Sequence, residues 1–240
     1  MSTQTSQYVD GTYARKVPGW HVEDSGRKAA HILRMLARHR LAPRLVCDVG
    51  CGAGEILVEM QRRMPEDTDF GGFDISPQAI ALCRPKENPR LTYVRADVRC
   101  HEMDRRPDLL LLLDVFEHVP DYVGFLEALR DKASWFVFHI PLDISLQSSR
   151  KDAASILEMR SEFGHLHHFT KATALATVAD AGYDVVDHFY TDSWQSAPPK
   201  GLKQRVAYEA RRLFFRWKPD GAALVFDGFN LLVLARPRTS

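Results

Sequence analysis

The chain has 240 residues, of which 45% are hydrophobic and 26% charged, and its formal net charge is +1. This composition is typical of globular proteins, and the length suits one sizeable domain or a domain with a small cap. A charge so close to zero gives no reason to expect a nucleic-acid partner. No apolar run reaches the ~18 residues of a transmembrane helix, and the polar N-terminus lacks the apolar core of a secretory signal.

The four cysteines form no CxxC pair. Cys47 and Cys51 are too isolated for a zinc knuckle, so we expect reduced structural thiols. This expectation favours a cytoplasmic location.

The first 44 residues precede the first predicted strand. Residues 1–22 are polar with scattered aromatic side chains, and we expect them to form an arm or lid. Asp24 or Ser25 can cap a helix whose apolar residues recur at helical spacing. We therefore divide the chain into an N-terminal arm and helix, 1–44, and a main domain, 45–240.

From residue 45, short apolar strands alternate with helical segments, which is typical of a parallel sheet built from βαβ units. Helices are predicted near 54–64, 77–83, 121–132 and 171–181. The strands are predicted at 45–49, 70–74, 91–94, 108–114, 135–140, 183–190 and 223–235. The fold class expected is α/β: a doubly wound, mostly parallel seven-stranded sheet with an antiparallel last strand.

A basic, aromatic insert at 195–222 separates the last two predicted strands. Residues 199–219 carry seven Lys or Arg and one acidic residue, Glu209, with apolar residues at roughly helical spacing. The pattern predicts a basic amphipathic helix. Such a helix could cap the domain, form a dimer contact, lie on a membrane surface or grip an anionic or lipid-linked substrate.

The segment VCDVGCGAGE ends the first predicted strand and opens a helix. Its glycines allow a sharp turn and close approach to a ligand. Asp74 ends the next strand 20 residues after Gly54, where a ribose-binding carboxylate is needed. A dinucleotide turn, G-x-G-x-x-G, would require glycine at position 55, which is Glu55.

Asp48 lies two residues before the first glycine, and DVGCGAG resembles the first motif of class I S-adenosylmethionine-dependent methyltransferases. GFDIS resembles their second motif, VRADV the third and LLLLLDVFEHVPD the fourth. GHLHHFT…LATVADAGY resembles a segment common in small-molecule members. The resemblance therefore extends along most of the chain.

The resemblance implies S-adenosyl-L-methionine as cofactor and S-adenosyl-L-homocysteine as product. The glycines would cradle the methionine part, Asp74 would bind the ribose, Asp97 would lie by the adenine, and Asp114 would border the sulfonium. The cofactor-binding residues expected are Asp48, Gly50, Cys51, Gly52, Gly54, Asp74, Ile75, Asp97, Val98, Asp114 and Val115.

Methyl transfer from a sulfonium is an in-line displacement that depends mainly on positioning. A base is needed only if the acceptor must lose a proton, as a hydroxyl must. Candidates should lie at the carboxyl ends of the strands. His139, with Asp143, is such a candidate, as substrate contact or base.

Asp114, Glu117 and His118 could hold a divalent ion, as in phenol O-methyltransferases of the ubiquinone pathway with a similar EH pair. Glu117 and His118 could equally cap or pair at the next helix. Because the pair also occurs widely in relatives expected to need no metal, we expect no metal here.

The heptapeptide GHLHHFT ends at Thr170, a good N-cap for the next helix. In an extended stretch, His165 and His167 point one way and His168 the other, so the three cannot easily converge on one metal. We expect one face to border the acceptor pocket. The candidate catalytic residues are thus His139, His165 and His168, and the candidate substrate or lid residues are Trp20, His21, His118 and His167.

The function predicted is methyl transfer to an O or N atom of a small molecule, such as a sugar or another biosynthetic intermediate. A nicotinamide-dependent oxidoreductase and a non-catalytic cofactor-binding relative are the alternatives. The acceptor's identity and a homodimeric state are left open.

Overall fold

The computed structural model describes residues 7–17, 19–20, 22–150, 154–192 and 201–238. Within these ranges it contains a seven-stranded sheet with the order β3-β2-β1-β4-β5-β7-β6. The strands are β1 (Leu45–Val49), β2 (Asp69–Asp74), β3 (Leu91–Arg95), β4 (Leu109–Leu113), β5 (Trp135–Pro141), β6 (Tyr183–Asp192) and β7 (Phe229–Pro237).

Helices connect these strands and flank the sheet. The described α-helices are α1 (Thr12–Lys16), α2 (Ser25–Arg38), α3 (Glu55–Gln61), α4 (Pro77–Cys83), α5 (Tyr122–Leu129), α6 (Leu146–Ser149), α7 (Ala154–Glu158), α8 (Lys171–Asp180), α9 (Leu202–Trp217) and α10 (Pro219–Val225). Short 3-10 turns lie at Val22–Asp24, Arg84–Lys86, Phe116–His118 and Arg130–Lys132, and a π-helical turn at Met159–Phe163.

Strands β1 to β5 run parallel, and β7 runs antiparallel to both β5 and β6. The predicted seven-stranded sheet with an antiparallel last strand is therefore confirmed. Strand β1 lies between β2 and β4, so the strand order reverses there. Open α/β sheets bind ligands in the crevice beyond the carboxyl ends of the strands at such a switch point.

The core has two layers, one on each face of the sheet. Because side chains alternate along a strand, Leu110 and Leu112 of β4 face one layer, whereas Leu109 and Leu111 face the other. The first layer contains residues of α5, α8 and α10, and the second contains residues of α2, α3 and α4. Burial on both faces explains the unbroken leucine run of β4.

The predicted start of the last strand is wrong. The sequence analysis placed the strand at 223–235, but it spans Phe229–Pro237 and is preceded by α10. Pro219 occupies the first turn of that helix, where its missing N–H and fixed φ are tolerated. Ala222 and Ala223 are buried in the core, so packing favours the helix over an extended chain.

Cys47, Cys51, Cys83 and Cys100 are free thiols, and the first three are buried. Within the described ranges, no helix is both long enough and apolar enough to cross a membrane.

Candidate active site

A cavity of about 840 Å³ opens at the carboxyl ends of the central strands. All eleven residues predicted to bind the cofactor line it, together with Trp20, His118, His139 and His165. Two predicted site residues, His167 and His168, do not line it. His21 lies outside the described residues.

The turn between β1 and α3 forms one wall of the cavity. Its glycines adopt left-handed φ angles of 71°, 53° and 78° at positions 50, 52 and 54. A Cβ atom at Gly54 would lie 2.6 Å from the ring of Tyr93, whose hydroxyl donates a hydrogen bond to the Gly54 carbonyl at 2.7 Å. Conformation and close packing together therefore require glycine at this position.

Asp74, at the end of β2, braces this turn. Its carboxylate accepts a hydrogen bond from Gly52 N at 3.0 Å and another from Ser76 N at 2.8 Å. Burial raises the pKa of Asp74 to about 6, although the backbone N–H groups oppose the shift. Asp74 thus places a carboxylate at the cavity wall and holds the turn beside it.

Asp97 and Asp48 have contrasting surroundings. The Asp97 carboxylate accepts hydrogen bonds from Arg99, with the shortest at 2.6 Å, and these keep its pKa below the usual range. Asp48 is buried, and no described residue bonds to its Oδ1. Burial, reinforced by the charge of Asp74, raises the pKa of Asp48 to about 8.

Asp114, which follows β4, bonds to two side chains through its two carboxylate oxygens. Its Oδ2 lies 2.6 Å from Lys28 Nζ, and its Oδ1 lies 2.6 Å from His139 Nδ1. Burial alone would raise the pKa of Asp114, but His139 and Lys28 hold it well below its usual range. Asp114 has a left-handed φ of 56°, which costs about 1–3 kcal/mol and is most frequent at functional sites.

His139 is fixed from both sides. Its Nε2 lies 2.8 Å from Thr191 Oγ1, in addition to the Nδ1 contact with Asp114. Because both ring nitrogens are engaged, His139 can accept a proton only after its bond to Thr191 breaks. This arrangement orients Asp114 more readily than it supplies a base.

The heptapeptide does not have the alternating geometry predicted from the sequence. His165 and His168 both hydrogen-bond Asp143 Oδ2 through Nδ1, at 2.7 and 3.0 Å. His167 points elsewhere, to the Val119 carbonyl at 3.0 Å and the ring of Tyr122 at 4.3 Å between centroids. We call Asp143, His165 and His168 the Asp143 cluster.

The prediction failed because this stretch is not a regular strand. The N–H groups of Leu166 and His167 both donate to the Glu117 carbonyl, at 2.8 and 3.2 Å. Successive N–H groups of a strand point to opposite sides, so the backbone must bend here. The Thr170 cap is confirmed, because its hydroxyl accepts a hydrogen bond from Thr173 N at 3.3 Å.

Glu117 and His118 lie beside the Asp143 cluster. The Glu117 carboxyl is completely buried, and burial and the charge of Asp114 raise its pKa well above the usual range. His118 Nδ1 hydrogen-bonds the Gly164 carbonyl at 3.1 Å, and burial lowers the pKa of His118 to about 4. The rings of His118 and His165 meet edge to face, with centroids 5.0 Å apart.

Three aromatic residues of the N-terminal arm line the cavity: Tyr8, Tyr13 and Trp20. The ring centroids of Tyr8 and Tyr13 are 4.9 Å apart, and those of Tyr13 and Trp20 are 5.0 Å apart. A Cβ atom at Gly52 would lie 3.3 Å from the Trp20 ring, so Trp20 packs directly on the glycine turn. Tyr8 reaches His118 at the other end, with centroids 5.8 Å apart.

Sequence reasoning missed Lys28 and Thr191. Lys28 lies 86 residues from Asp114 in the chain, and Thr191 lies 52 residues from His139. Each residue type is common on the surface of helices and strands, so no local motif distinguishes them.

The fold and the cavity define an open α/β protein with a cavity of ligand size at its topological switch point. A sequence profile for the methyltransferase domain matches residues 20–188, more than half of the chain. The chain therefore belongs to the methyltransferase domain family, and its fold is that of class I S-adenosylmethionine-dependent methyltransferases.

Two curated relatives share part of the sequence. A trans-aconitate 2-methyltransferase from Methylobacterium radiotolerans is 33% identical over 107 residues, 45% of this chain and 40% of that protein. The mitochondrial ubiquinone biosynthesis O-methyltransferase of Schizosaccharomyces pombe is 26% identical over 129 residues, 47% of this chain and 46% of that protein. The chain thus matches less than half the length of each.

Solved structures share the fold at low sequence identity. A chain from a complex of the Haloferax volcanii Trm112 methyltransferase activator with a methyltransferase has a TM-score of 0.65 and 14% identity, covering 100% of this chain and 99% of that one. Magnesium protoporphyrin IX methyltransferase from Synechocystis, with S-adenosylhomocysteine bound, has a TM-score of 0.57 and 15% identity, covering 88% and 83%.

Proposed function

We propose that this methyltransferase methylates an oxygen of a small, hydroxyl-bearing acceptor such as a sugar. The observation that carries the proposal is a single cavity with two different walls. One wall is formed by the glycine turn and Asp74, and the other includes His118, His165 and Asp143. The first wall suits the cofactor, and the second suits a hydroxyl that must be oriented and deprotonated.

The residues on the first wall fit S-adenosylmethionine. Gly50 lines the cavity, and a side chain there would clash with Val115, because a Cβ atom would lie 2.8 Å from it. Asp74 keeps lone pairs for the ribose hydroxyls after accepting its two backbone hydrogen bonds. Asp97 and Val98 would then border the adenine, and Asp114 the methionine part. The bound cofactor supplies an electrophilic methyl group carried on a sulfonium.

The size of the cavity is compatible with two ligands. Its volume of about 840 Å³ lies near the upper end of the roughly 300–1,000 Å³ found for small-molecule sites. This leaves space for a small acceptor beside the cofactor.

The charges around the cavity favour a neutral acceptor. The lysine and arginine residues that line it are Arg27, Lys28 and Arg99. Within the described ranges each already pairs with a carboxylate, at 2.7 Å to Asp24, 2.6 Å to Asp114 and 2.6 Å to Asp97 respectively. An anionic acceptor, such as the trans-aconitate named for one relative, would have to displace one of these pairs.

The proton of the acceptor hydroxyl would leave toward the Asp143 cluster. His165 donates its Nδ1–H to Asp143, which leaves the Nε2 lone pair available at the cavity wall. His139 has no free ring nitrogen, and His168 does not line the cavity. His165 is therefore the histidine best placed to act on the acceptor.

Release of S-adenosylhomocysteine tests the proposal. The purified protein is incubated with S-adenosylmethionine and matched acceptors that carry a hydroxyl or an amine at the same position, with trans-aconitate as a third class. We expect release with hydroxyl acceptors, a loss of turnover in His165→Gln, and little change in His167→Gln. Release with amines alone would overturn the assignment of an oxygen acceptor.

A further inference from the structure

The side chain of Glu117 is a buried carboxyl group. It lies in the 3-10 turn that follows β4, and its exposed fraction is 0%. Among the described residues, none donates a hydrogen bond to either of its carboxylate oxygens. A buried carboxyl in this position must keep its proton or bind a cation, because an isolated buried charge is strongly unfavourable.

Two imidazole rings lie close to this carboxyl group. The Nδ1–H of His118 donates to the Gly164 carbonyl, so its Nε2 carries the lone pair, 3.8 Å from Glu117 Oε1. The Nδ1–H of His165 donates to Asp143, so the Nε2 of His165 also carries a lone pair. One ligand atom from each of Glu117, His118 and His165 lies within 4.8 Å of the other two.

We propose that Glu117, Nε2 of His118 and Nε2 of His165 bind a divalent transition-metal ion, with Zn²⁺ the best match. Two imidazoles and one carboxylate, with a further position open, are the donor set of many catalytic zinc sites. Asp143 and the Gly164 carbonyl complete the arrangement, because they fix the two rings through Nδ1 as outer-shell partners of metal-bound histidines do.

The Asp143 cluster is a weaker candidate for a metal site. Its ligand atoms also lie close together, but Asp143 Oδ2 already accepts hydrogen bonds from both histidines. That carboxylate is satisfied, whereas Glu117 is not. The Glu117 carboxyl group, which receives no hydrogen bond from the described residues, therefore favours an ion between Glu117, His118 and His165.

An ion at this site would act on the acceptor. His118 and His165 line the cavity, so an open coordination position would face the acceptor space. An acceptor hydroxyl bound to the ion would release its proton to solvent more easily, so His165 would serve as a ligand in place of a free base. This catalytic role rests on the proposed function, but metal binding itself does not.

Metal titration of the full-length protein tests the site. Protein stripped with a chelator is titrated with Zn²⁺ in competition with an indicator, and with Co²⁺ while visible absorption is recorded. We expect one ion per chain and a Co²⁺ band of low-symmetry coordination. Glu117→Gln should lower Zn²⁺ affinity by about 100-fold or more, and Asp143→Asn by about 10-fold.

His167→Gln is the matched control, because this histidine belongs to the same heptapeptide but bonds the Val119 carbonyl. It should bind Zn²⁺ as tightly as the wild type. Circular dichroism and S-adenosylhomocysteine affinity verify that Glu117→Gln is folded. A wild-type Zn²⁺ affinity in folded Glu117→Gln, or no Co²⁺ band in the wild type, would refute the site. Metal binding without turnover would contradict the catalytic role but would still support the metal site.

A second, independent feature is the outer face of α9. Four of its apolar side chains are largely exposed: Leu202 (79%), Val206 (63%), Leu213 (61%) and Trp217 (73%). At 3.6 residues per turn these positions form one stripe along the helix. The exposed residues Arg205, Arg212 and Arg216 fall beside it.

The opposite face of α9 is anchored to the protein. Arg211 donates a hydrogen bond to the Asp227 carbonyl, and its guanidinium lies 4.9 Å from the ring centroid of Phe229. The exposed stripe is therefore presented outward by a fixed helix.

We infer that this face docks on an anionic membrane surface. An apolar stripe with arginines at its edge matches the chemistry of helices that lie in the lipid interface. A second copy is a poorer partner, because a two-fold contact brings the same patch of both subunits together and so pairs one basic patch with another.

Vesicle co-sedimentation tests this inference. We expect the protein to pellet with phosphatidylcholine vesicles that contain phosphatidylglycerol, and much less with pure phosphatidylcholine. The double variant Leu213→Ser with Trp217→Ser should stay in the supernatant. Leu82→Ser, a change at an exposed leucine on α4, is the control and should pellet. Failure of the wild type to pellet, or a dimer in solution that the double variant abolishes, would overturn the inference.

Discussion

Lys28 Nζ lies 2.6 Å from Asp114 Oδ2, and this contact joins the N-terminal helix α2 to the end of β4. The other carboxylate oxygen of Asp114 holds His139. The two residues of the ion pair are only 19% and 27% exposed, so solvent screens the pair little. The pair therefore fixes α2 to the end of β4, where both residues line the cavity.

Asp114→Asn should destabilise the protein by about 1–3 kcal/mol, because Lys28 would lose a charged hydrogen-bond partner. Asparagine tolerates left-handed backbone, so the φ of 56° adds no new strain. Urea denaturation measures the free energy of unfolding. The control is Asp131→Asn, whose side chain is 84% exposed and which should change stability by less than about 0.5 kcal/mol. Equal effects of the two variants would contradict the structural role of the pair.

Asp48 should make stability depend on pH. Burial raises its pKa from 3.8 to about 8. Between these values the folded state keeps the proton and the unfolded chain loses it, so the free energy of unfolding falls as pH rises. The slope from one such group is about 1.4 kcal/mol per pH unit.

Asp48→Asn removes this titration. The stability of the variant relative to the wild type should therefore increase as the pH rises from about 4 to about 8. Denaturation curves of both proteins at several pH values measure the difference. Parallel stability profiles for the two proteins would show that Asp48 is not protonated in the folded state.

Asp74→Ala should weaken binding of S-adenosylhomocysteine by about 1–3 kcal/mol, because the ribose hydroxyls would lose a charged acceptor. Isothermal titration calorimetry measures the affinity. Asp74→Asn separates ribose contact from bracing of the turn, since its amide oxygen can still accept one backbone hydrogen bond. Asp69→Ala, at the opposite end of β2, is the control and should bind normally. An unchanged affinity in Asp74→Ala would refute the ribose assignment.

Trp20→Ala should weaken the same binding by roughly tenfold, or ~1.4 kcal/mol. The Trp20 ring packs on Gly52 and lines the cavity, so its loss would leave the glycine turn open to water. The matched control is Trp217→Ala, because that side chain is 73% exposed on α9. Calorimetry measures the affinity of each variant for S-adenosylhomocysteine. If Trp20→Ala binds it as tightly as Trp217→Ala does, the arm does not act as a lid.

Local patterns were sufficient to predict the sheet and the cavity wall that the glycine turn and Asp74 form. The strand β1, its glycine turn and Asp74 are close in sequence and follow known rules for strand ends. Their common cavity therefore could be foreseen from spacing alone. The cofactor-binding roles of the glycine turn, Asp74, Asp97 and Asp114 all stay predictions, although these residues line one cavity.

Contacts across long sequence separations could not be predicted. The direction of His165, His167 and His168 depends on two hydrogen bonds to the Glu117 carbonyl, which lies far upstream. The start of β7 depends on the packing of Ala222 and Ala223 into the core. Neither the directions of these histidines nor the start of β7 can be predicted from the local pattern of apolar residues.

A crystal structure with S-adenosylhomocysteine bound tests the central claim most directly. We predict that the ligand lies along residues 50–54, with its ribose hydroxyls on Asp74 and its sulfur facing the space that His118 and His165 border. A ligand bound elsewhere, or with its sulfur turned away from these histidines, would contradict the account.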